Sequence, residues 1–197
     1  KLTKPFDEFF LDGYTEDKND FKTLLEDNRS FKPIGKEIEE FSTDGKTFKI
    51  YDIEDPTSEK WNKYNSRIQV FLKFYIETGS YIDEEDPDWK IYCLFEHDKK
   101  SNEYYFVGFI TFYRFFREVN KYRCRISQQI VLPHYQRKGL GVRLLETVYK
   151  NYLNDDDCYE FTVESPNPSF TLLRDFVDLK RITELGHFDF LKEFLGK

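Results

Sequence analysis

The stretch Cys124 to Glu146, CRISQQIVLPHYQRKGLGVRLLE, decides how the whole chain is to be read. Its first half is apolar and β-branched and reads as a strand that stops at Pro133. From Gly141 the period changes: Val142, Leu144, Leu145, Val148, Tyr149 and Tyr152 recur at helical spacing. Between the two lies Gln136-Arg137-Lys138-Gly139-Leu140-Gly141-Val142, with two glycines among basic side chains where an amphipathic helix begins. The first turn of a helix carries N–H groups without intrahelical acceptors and the positive end of the macrodipole. Glycines let an anion approach that backbone, so strand, loop and helix together make a place to hold phosphate. The spacing is neither that of a G-x-x-x-x-G-K-[ST] loop nor that of a dinucleotide fingerprint. A plain glycine turn beside solvated Arg and Lys is the alternative; the flanking strand and helix favour the phosphate cradle.

Upstream, WKIYCLFE (89–96) and EYYFVGFITFYRFF (103–116) are strand-like and joined by the polar HDKKSN. KYRCRISQQIVL (121–132) follows after the short link REVN. Three strands with short links predict an antiparallel meander. Downstream, CYEFTVES (158–165) reads as a strand reached through the helix, and such a crossover predicts that it lies parallel to 121–132. SFTLLRDFVDLKRITELG (169–186) reads as one or two short helices stopping at Gly186. Before the meander, Trp61, Tyr64, Ile68, Phe71, Leu72, Tyr75 and Ile76 form one apolar helix face, with Gly79 as its stop. Residues 1–59 read as an N-terminal extension, with a short helix in DFKTLLED (20–27) and a hairpin around Asp44-Gly45. The expected fold class is a mixed α/β (α+β) domain over 60–197, a mostly antiparallel sheet flanked by helices.

Composition narrows the functions. The net charge of −7 argues against duplex binding, which needs a basic face, and suits a basic peptide as substrate. A 19 % aromatic content predicts a core of Phe and Tyr, and no apolar run is long enough to span a bilayer. Cys93, Cys124 and Cys158 lie far apart, which suits free thiols in a reducing compartment. Neither they nor His97, His134 and His187 have metal-ligand spacing, so no metal is expected. The chain begins at Lys1 and contains no Met, so it reads as a piece of something longer.

Q/R-x-x-G-x-G/A between a strand and an amphipathic helix resembles the acetyl-CoA pyrophosphate loop of the GNAT acetyltransferase superfamily. The blocks FYIETGSYIDEEDPDW, ITFY, RISQQIVLPHYQRKGLGVRLLETVYKNY and TVESPNPSFTLLRDF together resemble the type B histone acetyltransferase catalytic subunit, over about Phe31 to Phe176. The resemblance implies the GNAT acyl-CoA N-acyltransferase fold, acetyl-CoA as acetyl donor, and acetylation of lysine in the histone H4 tail. It also implies work in the nucleus and cytoplasm, and a WD-repeat histone chaperone as a partner of the full-length protein. Two other readings compete: a GNAT enzyme for another protein or a small amine, and a non-catalytic histone-binding module.

Acetyl transfer to lysine needs the amine deprotonated, and a free lysine with a pKa of about 10.4 is roughly three units, about 4 kcal/mol, from that state near neutral pH. A carboxylate beside the amine can take the proton. Glu164, at a strand end before Pro166, matches the family's general base in a T-[VA]-E-D-P block; Ser165 stands where that block has Asp. Glu77 matches a second acidic position. By the same resemblance, backbone groups of Gln129, Ile130 and Val131 receive the pantetheine arm in the manner of an added strand, and one N–H stabilises an oxyanion. Gln136 to Val142 hold the pyrophosphate. Asn167 and Ser169 open the next helix, where they either cap it or contact the cofactor. Trp89, Tyr113, Arg114 and Phe115 match tail-contacting positions, with core packing as the alternative for the aromatics. The acidic run Asp83 to Asp86, with Asp88, reads equally as a solvated turn or as an attractor for a basic tail.

Overall fold

The computed structural model describes residues 14–187 and 189, apart from 78, 120, 153 and 154. The element order is α1 (Lys18–Asp27), β1 (Lys36–Thr43), β2 (Lys46–Asp52), α2 (Glu59–Ile68), α3 (Val70–Tyr75), β3 (Trp89–Asp98), β4 (Glu103–Glu118), β5 (Lys121–Val131), α4 (Leu140–Tyr152), β6 (Cys158–Val163) and α5 (Pro168–Glu184). Six strands form one sheet in chain order, β1 to β6. The first four pairings are antiparallel, and β5 with β6 is parallel. A parallel pair needs a crossover, and α4 supplies it.

Asp44 and Gly45 turn the first hairpin with φ of 51° and 73°, the positive values that a two-residue primed turn requires. The sequence reading set this hairpin in the segment before residue 60; the structure pairs it directly onto β3, Ile50 opposite Leu94. Burial gives the reason. Phe48 and Ile50 are about as apolar as any strand residue here, both are buried, and they need the sheet to cover them.

Alternation along β3 divides two cores. Tyr92 and Leu94 face α4 and α5, with Ile110, Phe112, Cys124, Ile126, Leu144, Leu145, Val148 and Val177. Ile91, Cys93 and Phe95 face α2 and α3, with Trp61, Ile68, Leu72, Phe109 and Ile130. Aromatic rings fill the first core edge to face: Phe112 meets Tyr152 at 5.0 Å, and Tyr149 meets Phe161 at 5.5 Å.

The single helix expected over 61–76 is broken at Gln69. There the Leu72 N–H donates to the Gln69 carbonyl at 2.9 Å, one residue short of α-helical spacing. The buried Gln69 side chain donates to Glu84 at 3.1 Å, an anchor that pattern alone does not reveal. By contrast, 168–184 is one continuous helix. It ends at Gly186, whose φ of 77° accompanies bonds from the Gly186 and His187 N–H groups to Thr183 and Ile182 carbonyls. Among the described residues the three cysteines are free, and no helix is long and apolar enough to cross a membrane.

Candidate active site

The site begins where β5 and β6 part. Their pairing runs from Tyr122 opposite Cys158 to Ile126 opposite Val163, and its last bond is Glu164 N–H to the Ile126 carbonyl at 2.9 Å. After Glu164 the chain turns away through Ser165, at φ 38°, and enters α5 behind the cap residue Asn167. β5 continues to Val131 paired only with β4, so its other edge from 127 onward looks into an opening.

At the parting point β5 carries a bulge. Thr111 pairs with Gln128 and Phe112 with Ile126, leaving Ser127 as the extra residue. The bulge resets the strand's phase, and three successive side chains then reach three different elements. Ser127 Oγ donates to Glu164 Oε2 at 2.7 Å. Gln128 Nε2 donates to the Ser80 carbonyl at 2.7 Å, holding the segment after α3. Gln129 Nε2 donates to the Gly141 carbonyl at 2.9 Å, holding the first turn of α4.

Beyond the bulge the backbone alternates. The Leu132 N–H bonds to the Val107 carbonyl, and Ile130 pairs with Phe109 in the same phase. Ile130 therefore spends its amide groups on β4, and it is Gln129 and Val131 whose backbone points into the opening. Of the three residues expected to lend backbone groups, Ile130 meets the cleft only with its other atoms.

The loop residues follow. Gln136 Nε2 donates to the Val131 carbonyl at 2.8 Å, tying the loop to the strand edge. Arg137 and Gly139 have φ of 63° and 75°. This lets the chain reverse into α4 with its first-turn N–H groups turned outward. A Cβ on Gly139 would meet nothing within 4 Å, so glycine is needed there for conformation. At Gly141 the need is space: a Cβ would lie 2.9 Å from Leu173 Cδ1 and 3.1 Å from Gln129 Nε2.

Together these elements enclose a cleft of about 600 Å³. Gln129, Ile130, Val131, Gln136, Arg137, Gly139, Leu140, Gly141, Val142, Asn167 and Ser169 line it, as the sequence grouped them. Lys138 does not; it borders a separate shallow groove with Phe41, Thr43 and Arg143, and its Nζ donates to the His134 carbonyl at 3.2 Å. Asn167 both caps α5, accepting from the Phe170 N–H at 2.8 Å, and lines the cleft. The cleft suits a long ligand with an anionic middle: helix N–H groups and Arg137 on one side, strand amides along its floor. Among the described residues, Gln129 Oε1 is buried there without a hydrogen-bond partner.

Sequence reasoning missed part of the wall. Tyr75, Tyr135, Leu172, Leu173 and Phe176 also line the cleft. Leu172 and Phe176 are 71 % and 57 % exposed, four residues apart on one face of α5. Apolar residues at that spacing signal a helix face, but not which neighbour it serves.

Glu164 and Glu77 are both exposed. Glu164 is fixed by Ser127, whereas Glu77 follows α3 in the segment that Gln128 holds through Ser80. Trp89 and Tyr113 are register partners with ring centroids 5.1 Å apart, and Phe115 lies 4.6 Å from Tyr113. Arg123 and Arg125 sit over the Phe115 ring at 5.2 and 4.8 Å. Arg114 alternates with the aromatics and pairs with Asp88 at 3.1 Å. Tyr113 also donates to Asp86 at 2.8 Å, and that bond to a carboxylate raises the phenol above its ordinary range. The acidic run is largely engaged: Glu84 accepts from Gln69, Asp86 from Tyr113, and Asp88 pairs with Arg114, while Asp83 and Glu85 stay exposed.

Comparison with known proteins agrees with this geometry. A family model described as the acetyltransferase (GNAT) family matches residues 48–169, and one described as the histone acetyl transferase HAT1 N-terminus matches residues 1–77. The chain is 37 % identical over 184 residues to the histone acetyltransferase type B catalytic subunits of Rattus norvegicus and Homo sapiens, alignments that cover 89 % of this chain and 44 % of each relative. The Candida albicans subunit is 37 % identical over 205 residues, 96 % of this chain and 49 % of that protein. The chain thus spans less than half the length of these curated relatives. Among solved structures, the xEco2 acetyltransferase domain bound to a CoA conjugate superposes with a TM-score of 0.53 at 13 % identity, covering 74 % of this chain and 92 % of that one, a likeness of fold. The chain belongs to the GNAT family of acetyltransferases, and within it is similar to the type B histone acetyltransferase catalytic subunits.

Proposed function

We propose that the protein transfers acetyl from acetyl-CoA to a lysine of the histone H4 tail, with Glu164 as general base. The observation that carries this is a split parallel pair whose freed strand edge lines one cleft with a helix start, and beside it Glu164, a carboxylate outside the cleft lining that is fixed by Ser127, two residues before Gln129. Gln136 to Val142, apart from Lys138, hold the pyrophosphate, and the cleft-facing amides of Gln129 and Val131 hold the pantetheine arm. Acetyl-CoA supplies the acetyl group as a thioester and departs as the thiol. Glu164 accepts the proton of the incoming ammonium and delivers a neutral amine to the acetyl carbon. With Ser165 beside it there is no neighbouring carboxylate to share that task, so Glu77 is left as an auxiliary. Trp89, Tyr113 and Phe115 form a shelf for the peptide, next to Asp83 and Glu85, whose charge suits a basic tail. On this reading the protein works in the nucleus and cytoplasm, and its full-length form takes a WD-repeat histone chaperone as partner.

The test is Glu164→Gln, assayed with acetyl-CoA and a panel of an H4 tail peptide, other histone tails and spermidine. Acetyl-CoA affinity should persist while kcat on the H4 peptide falls about 10²–10⁴-fold, the range for losing acid–base catalysis. Preferential turnover of spermidine by the unmutated protein would instead favour a small-amine enzyme. Acetyl-CoA binding with no turnover of any acceptor would favour a binding module.

A further inference from the structure

We propose that Ser127 is a positioning residue for the general base, orienting the Glu164 carboxylate through its hydroxyl; the inference rests on the reading of Glu164 as that base. Two bonds from adjacent residues of β5 fix Glu164. Ile126 accepts its N–H at 2.9 Å, and Ser127 Oγ donates to its Oε2 at 2.7 Å. The first sets where the backbone leaves the sheet, and the second sets where the carboxylate points. Glu164 is exposed, so packing constrains its side-chain rotamer little. The Ser127 hydroxyl constrains it instead, engaging Oε2 and leaving Oε1 to receive a proton.

The bulge explains why this residue is available. In a regular strand the side chain after Ile126, which is buried in the core, would stand on the opposite face of the sheet. As the unpaired extra residue, Ser127 is re-aimed toward the end of β6, and bulges beside active sites serve this re-aiming. A purely structural serine there would have no need of a carboxylate partner on a neighbouring, exposed strand end. The hydroxyl donates to Oε2 of the ionised carboxylate before transfer and can keep donating to it once Oε1 carries the proton.

The experiment compares Ser127→Ala, Ser127→Thr, Glu164→Gln and the double variant Ser127→Ala/Glu164→Gln, using acetyl-CoA and an H4 tail peptide, with melting temperatures as a fold control. Ser127→Ala should lower kcat about tenfold, the low end for losing a hydrogen bond to a charged group, with acetyl-CoA Kd and peptide KM unchanged. Ser127→Thr, which keeps a hydroxyl, should restore most of the rate. The double variant should be no slower than Glu164→Gln, because orientation is worthless once the base is gone. Ser127→Ala within twofold of the parent, or a Ser127→Ala defect that is fully additive with Glu164→Gln, overturns the positioning role. So does a defect in melting temperature and KM that Thr does not rescue. If Glu164→Gln itself keeps full kcat, the base reading falls and the role goes with it; if Glu164→Gln is slow but Ser127→Ala is not, only the role falls.

Discussion

Gly139→Ala isolates the conformational requirement of the glycine loop. Gly139 sits at φ 75°, and a Cβ added there meets no heavy atom within 4 Å. The substitution therefore brings no clash, only the cost of holding an L-residue in the left-handed region, about 1–2 kcal/mol. That cost has two places to appear. If the loop keeps its shape without ligand, folding stability falls by the full amount and acetyl-CoA affinity is unchanged. If the loop relaxes without ligand, stability holds and affinity drops about five- to thirtyfold, since 1.4 kcal/mol is tenfold. Either way the two losses should sum to about 1–2 kcal/mol, a sum accessible from urea denaturation together with calorimetric titration of acetyl-CoA. Gly139→Asn, better tolerated at positive φ, should lose less. A summed loss below about 0.5 kcal/mol in a folded variant would refute the claim that this conformation shapes the site. Gly141→Ala is the contrast. Its Cβ crowds Leu173 and displaces the Gln129 amide from the Gly141 carbonyl, so stability should fall by about 1 kcal/mol. The displaced Gln129 amide then enters the cleft and weakens acetyl-CoA binding.

Glu77→Gln should cost less in kcat than Glu164→Gln at equal stability, measured at saturating acetyl-CoA; the reverse order would move the base to the segment after α3. Tyr113→Phe removes the bond to Asp86 but keeps the ring against Trp89, so stability should fall by about 1 kcal/mol and the peptide KM rise, with acetyl-CoA Kd unchanged. Glu40 is held down to about 2, from 4.5, by hydrogen bonds from Lys99 and then Lys49. A lowered carboxylate stabilises the fold above its unfolded value and loses that contribution as pH falls through the folded one. The stability gap between the parent and Glu40→Gln should thus be constant above about pH 5 and close toward pH 2, as read by denaturation at stepped pH. A gap unchanged at pH 2.5 would show that the ion pair contributes nothing.

The meander, the crossover and the glycine loop were legible because each leaves a periodic or compositional trace: alternation in 89–132, a change to helical period at Gly141, and glycines at the junction. The Ser127 bulge was not, since one extra residue in a strand of eleven alters no pattern that a scan can weigh. Strand addition alone assigns the pantetheine arm to Gln129, Ile130 and Val131 alike, and only the hydrogen-bond phase separates their amides. Lys138 was grouped with the loop by charge, yet the reversal at Arg137 and Gly139 turns it to the other side. The break at Gln69 depends on Glu84, a partner fifteen residues on and outside any helical window.

Strand order that follows chain order has a kinetic consequence. β1 through β5 can zip from one turn to the next, each pairing closing only a short stretch of chain or the α2–α3 segment. The β5–β6 pair differs in direction: it is parallel, β6 lies at the sheet edge, and the pair brings together Ser127 and Glu164 across 37 residues. A non-local parallel pairing is slow to form, and an edge strand held on one side opens more readily than one held on both. The proposed base thereby stands on an edge strand, expected to form late and to open early. Hydrogen exchange should find β6 and the start of α5 opening as a unit while the meander stays protected. A substitution that loosens only this late-forming unit would silence the chain without unfolding it.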